Sequence, residues 1–141
     1  ASGDADYLAS LLATEKIKEK YPNLGVEFGA AGEFVLGMHG KLEYDGTRIA
    51  GLYPHKQVTL AEKAGANIFG PVVNTNTSKS FPWNLARTVT FIKACSDVAE
   101  IPLHVNVGMG VGGVPMTEIP PIDAVTRADK ALIEIGKADG L

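Results

Sequence analysis

The residues able to do chemistry gather in three polar or Gly-rich stretches, each directly after an apolar run. The first holds Glu33 and His39, the second Asn74, Thr75, Asn76 and Thr77, and the third Gly108, Gly110, Gly112 and Gly113. Glu33 is a carboxylate among Ala, Gly, Phe and Val. Burial there would raise its pKa and suit it to proton transfer or to pairing with an amine. A partly solvated loop acid is the alternative. The Asn-Thr-Asn-Thr stretch offers neutral donors and acceptors, which suit an amide-rich cofactor or a small polar ligand and which equally serve turn geometry.

The third stretch fits G-x-G-x-x-G after an apolar run, the pattern of a dinucleotide site. Its context argues against one. Val114 to Pro120 separate the glycines from the next helix, so no helix N-terminus meets a pyrophosphate. The glycines suit either a tight turn over a strand end or the close approach of a large ligand. His39, His55 and His104 are far apart and lack metal-ligand spacing. His104 and Asn106 alternate onto one face of Leu103–Val107. That face would point into a barrel lumen, while a hydrogen-bonded core histidine is the other reading of His104. Glu27 lies within the first apolar run, and an ionisable group there is either inward-facing in a barrel or paired.

Elements must hold these loops in place. The chain has 141 residues, about one ordinary domain. A hydrophobic content of 45% is enough for a core, and a net charge of −3 with scattered charges favours neither nucleic acid nor an anionic membrane. No apolar run approaches the roughly 20 residues of a membrane span. One cysteine, Cys95, excludes an internal disulfide and fits a reducing cytoplasm.

Asp4 or Ser2 caps a first helix to about Lys20, with Leu8, Leu11 and Leu12 as its apolar stripe. Gly25–Gly29 reads as a strand. Asp45-Gly46 between two short alternating runs is the strongest hairpin signal in the chain. A helix over Lys56–Ala64 ends at Gly65, and Asn67–Val73 is the second strand. A third helix runs from Trp83 to Ala99 with Leu85, Val89, Ile92 and Cys95 on one face. Leu103–Val107 is the third strand. Pro120-Pro121 opens a helix with Val125, Ala128, Leu132 and Ile135 in register. After it, at Lys137–Leu141, a fourth strand should start, and the chain stops at its threshold. This alternation predicts an α/β fold with a parallel sheet covered on both faces, either doubly wound or part of a (β/α)8 barrel. A complete barrel needs about 250 residues and eight strands.

Three segments together resemble one family. Gly37-Met38-His39-Gly40 with Tyr44-Asp45-Gly46, the stretch Gly65 to Lys79, and Gly108 to Met116 with Pro120 to Ala128 look like the dimethylamine:corrinoid methyltransferases of methylotrophic methanogens and some bacteria. The resemblance covers essentially the whole chain. It implies one partial (β/α)8 TIM-type barrel over residues 1–141, with a hairpin insertion at Asp45-Gly46. It further implies a cytoplasmic homo-oligomer that moves a methyl group from dimethylamine to the Co(I) corrinoid of a small partner protein in methanogenesis. The chain itself would bind no cofactor and no metal. These enzymes carry pyrrolysine, and the resemblance places it directly after Leu141, so this chain would be an upstream fragment inactive alone. Under that resemblance Glu33 manages the amine proton, and His39, Asn74, Asn76, His104, Asn106, Gly108, Gly110, Gly112 and Gly113 face substrate or corrinoid. The alternatives are a pyrrolysine-free relative acting on another methylated amine, a half-barrel that only binds or assembles, and a nucleotide-binding barrel.

Overall fold

The computed structural model describes residues 3–31, 39–73, 82–107 and 119–141. Helix α1 (Gly3–Lys20) precedes strand β1 (Glu27–Ala31). A hairpin of β2 (Glu43–Tyr44) and β3 (Thr47–Arg48) leads into α2 (Pro54–Lys63). Strand β4 (Ile68–Val73), helix α3 (Pro82–Ser96), strand β5 (Asn106–Val107) and helix α4 (Ile122–Glu134) follow.

β1, β4 and β5 form one parallel sheet in that spatial order. The chain beyond α4 adds to the same edge. Gly140 bridges His104 in parallel, and its carbonyl oxygen accepts from the Val105 amide at 2.9 Å. A fourth strand position therefore lies where the rhythm of the sequence placed it. Each strand neighbours the next in chain order, so no strand order reverses within the described residues.

Side chains alternate across a strand, so the two sheet faces have separate compositions. Phe28, Ala30, Phe69, Leu103 and Val105 occupy one face and are buried. Phe28 and Phe69 are register partners whose rings stack with centroids 6.4 Å apart. Tyr7 of α1 meets Phe28 edge-on at 5.3 Å and donates its hydroxyl to the Gln57 carbonyl of α2 at 2.8 Å. Leu11, Val58, Leu60 and Cys95 complete this cluster, and Ile92 of α3 and Leu132 of α4 close over Val105. Burial pushes the Cys95 thiol up to about 12, so it packs as a neutral apolar group. All four described helices thus pack on one face. The expectation of helices on both faces is corrected: the opposite face carries no described helix, and Glu27, Gly29 and His104 on it are exposed.

Local boundaries follow from backbone chemistry. The two residues of the hairpin turn, Asp45 and Gly46, have φ of 46° and 71°, the left-handed pair that twists two short strands together. Tyr44 folds back and donates to Glu15 of α1 at 2.6 Å, and Lys63 of α2 meets Asp45 at 2.6 Å. Gly65 ends α2 with φ 95°, and a Cβ there would also press on Lys18 Cγ at 3.1 Å. Lys18 donates to the Pro22 and Leu24 carbonyls at 2.9 and 2.8 Å and to Asn67 Oδ1 at 3.1 Å. The same Asn67 oxygen accepts from the Val26 amide at 3.0 Å, which joins the start of β1 to the start of β4.

Two stripes differ from the expectation. α1 buries Tyr7, Leu11 and Thr14, while Leu12 is exposed, because the ring of Phe28 selects the Tyr7 side of the helix. α4 buries Ala124, Ala128 and Leu132, while Ile135 is exposed, because the helix has ended at Glu134 and the chain turns away.

Candidate functional site

The face of the sheet that carries no described helix is where polar chemistry collects. Read across the strands by register, its first row holds Glu27 and Ile68. Its second row holds Gly29, Gly70, His104 and Gly140. Three glycines and one histidine share this row, so three of its four positions carry no side chain.

Glu27 reaches diagonally across β4, over Gly70, and brings its Oε1 to 2.9 Å from His104 Nδ1. An ionised carboxylate only accepts, so Nδ1 carries the proton and donates it. Both side chains are about half-exposed, at 45% and 47%. The hydrogen bond to Glu27 and its negative charge raise the His104 pKa above the ordinary value, with a further backbone contact to Leu141 acting in the same direction. Lysines and arginines on this face are absent among the described residues, so the pair is compensated only by itself. With the ring protonated the pair is a neutral ion pair. With the ring neutral it carries one negative charge and remains hydrogen-bonded.

His104 is therefore hydrogen-bonded but not a core residue, and Glu27 is both paired and on the open face. Sequence reasoning noticed Glu27 and left it out of the candidate site. The signal available was parity: Glu27, Gly29, Gly70 and His104 all fall on the alternate positions opposite the Phe and Leu residues of their strands. Asn106 continues β5 two residues beyond His104, and its backbone pairs with Val72. His39 is exposed at the turn before the hairpin, beside Gly40, whose carbonyl oxygen accepts from Arg48 Nε at 2.8 Å. Glu33, Asn74, Asn76, Gly108, Gly110, Gly112 and Gly113 lie outside the described residues. Among the described residues no cluster of three or more His, Cys, Asp or Glu could hold a metal ion, and no helix is long and apolar enough to cross a membrane.

The comparisons with known proteins add identity to this geometry. No solved structure matches the chain. The family model for dimethylamine methyltransferase (Dimeth_PyL) matches residues 1–141, the whole of the sequence. The chain belongs to the dimethylamine methyltransferase family.

Proposed function

We propose that residues 1–141 form part of the wall of a (β/α)8 barrel, and that the helix-free face of the sheet lines its lumen. The observation that carries this reading is the Glu27–His104 contact of 2.9 Å on a face with no described helix. A doubly wound sheet would need helices on both faces, whereas a barrel needs them only outside. The sequential order of β1, β4, β5 and Gly140 favours the barrel on the same grounds.

In this reading the lumen binds dimethylamine as its ammonium ion, and the methyl acceptor is the Co(I) corrinoid of a separate partner protein. The Glu27 carboxylate pairs with the ammonium. It holds the proton near nitrogen, so that when the carbon–nitrogen bond breaks its electron pair stays on nitrogen and the amine departs neutral. His104 orients Glu27 by donating Nδ1–H to it. Gly29, whose Cβ position has only the Gly70 carbonyl oxygen within 4.0 Å, leaves room for a small cation beside the pair. Glu33, Asn74 and Asn76 are carried as further polar groups at the strand ends, with His39, Asn106 and the Gly108–Gly113 run at the mouth that admits the corrinoid. The enzyme is placed in the cytoplasm as a homo-oligomer without a resident metal. The resemblance adds pyrrolysine to the complete enzyme, and a complete gene product without it would favour a pyrrolysine-free relative.

The test is Glu27→Gln in the complete gene product, assayed for dimethylamine-dependent methylation of its corrinoid partner. Loss of a charged hydrogen-bond acceptor should lower kcat/KM by about 10- to 100-fold. Unchanged kcat/KM in a folded variant would sink the amine-binding role. A second reading follows from the position of Glu27 at the first residue of β1, near the strand N-termini. There the pair acts as a tie across β4, and the variant would lose stability with activity intact.

A further inference from the structure

Glu27 and His104 stand on strands that do not touch. β4 runs between them, so their backbones are roughly 10 Å apart, twice the ordinary strand spacing. Their 2.9 Å contact depends on what β4 places underneath. The residue there is Gly70. A Cβ on Gly70 would stand 2.7 Å from Glu27 Oε1 and 3.4 Å from the His104 carbonyl oxygen. The first distance is shorter than a real Cβ contact, so the carboxylate would have to move. On the far side of the ring Gly140 repeats the arrangement, with a Cβ position 3.2 Å from His104 Cδ2. Neither glycine has a positive φ, unlike Gly46, Gly51 and Gly65. Backbone freedom is therefore not the reason for glycine at these two places. What both provide is the absence of a side chain under a polar group.

We propose that Gly70 and Gly140 are positioning residues, forming a bare floor on which Glu27 and His104 lie flat and face one another. Glycine inside a strand often marks the close approach of another group. Here the approaching groups are the carboxylate and imidazole themselves. Around His104, the described groups on this face are Glu27 from β1, Ile68 and Gly70 from β4, Gly140 and the backbone of Leu141. The nearby Asp139 carboxylate is occupied by the Leu103 amide at 2.8 Å. Displacing Glu27 therefore leaves the imidazole without its anionic partner. The floor follows from geometry alone, and only its use in amine binding rests on the proposed function.

Two readouts separate these layers in the complete gene product. Gly70→Ala should lower the His104 pKa, read from its imidazole NMR signals, by about half a unit or more. It should also raise KM for dimethylamine more than it lowers kcat. In a Glu27→Ala background the same substitution should change neither quantity, because the side chain that it displaces has gone. Gly140→Ala, which presses on the ring rather than the carboxylate, should shift the same signals less and serves where Gly70→Ala does not fold. An unshifted His104 in both alanine variants overturns the proposal. So does an equal shift with and without Glu27. A shifted His104 with unchanged KM upholds the floor and removes the amine-binding reading.

Discussion

One face of the sheet is sealed by helices and the other carries none among the described residues, although both come from alternate residues of the same strands. The sealed face is Phe28, Ala30, Phe69, Leu103 and Val105, where stability comes from area removed from water. The bare face is Glu27, Gly29, Gly70, His104 and Gly140, where little apolar surface is buried and groups are held by one charged contact. The difference shows a division of labour within single strands. Every second residue holds the fold and the residues between are free to carry chemistry.

The comparison breaks most visibly on the sealed face. Phe69 is 1% exposed and stacked on Phe28. Phe69→Ala should cost about 3–5 kcal/mol, read as a fall in the denaturant midpoint with unchanged slope. A loss under about 1 kcal/mol would mean that the two faces do not differ as described.

On the bare face the expected effect is smaller and depends on pH. The folded-state pKa of His104 lies above its unfolded value, because Glu27 favours the charged ring. The stability that the pair contributes is therefore fully present below the unfolded value near 6.5 and is lost as pH rises through the folded value. The melting-temperature difference between wild type and Glu27→Gln should be largest near pH 6 and shrink on the alkaline side. A difference that grows with pH would have the wrong sign.

Away from both faces, the Lys63–Asp45 contact is solvent-exposed on both partners. Lys63→Ala should change stability by about 0–1 kcal/mol, with the effect fading in high salt. A larger loss would show that the ion pair, and not only the burial of Tyr44, holds the hairpin to the core.

Much of the framework was legible in the chain. The helices were readable from apolar spacing and from Pro and Gly at their ends, and the hairpin from Asp45-Gly46, because these signals are local. Helix α1 was placed correctly, and Leu8 and Leu11 of its stripe pack on the core while Leu12 does not, because Phe28, a residue from another element, decides which side packs. The coverage of the sheet was misjudged for a related reason. Strands such as Ile68-Phe-Gly-Pro-Val-Val73 read as apolar throughout, although Gly70 puts no side chain on its face. Of the candidate site, His104 was found and Glu27 was noticed without being chosen. Their contact spans two strand spacings and 77 residues of sequence, which no local pattern encodes.

The junction of Lys18, Asn67 and Val26 has a consequence for folding fidelity. Its hydrogen bonds tie the entry of β1 to the entry of β4 without using a side chain from either sheet face. A slip of one residue there would exchange the two sets of alternating side chains, driving Glu27 among the aromatic rings and Phe28 into water. The ammonium group of Lys18, cradled by two carbonyls and one amide oxygen, works as a proofreading peg. Mispaired sheets would be expected to accumulate during refolding of a Lys18→Met variant, even where its final structure is native.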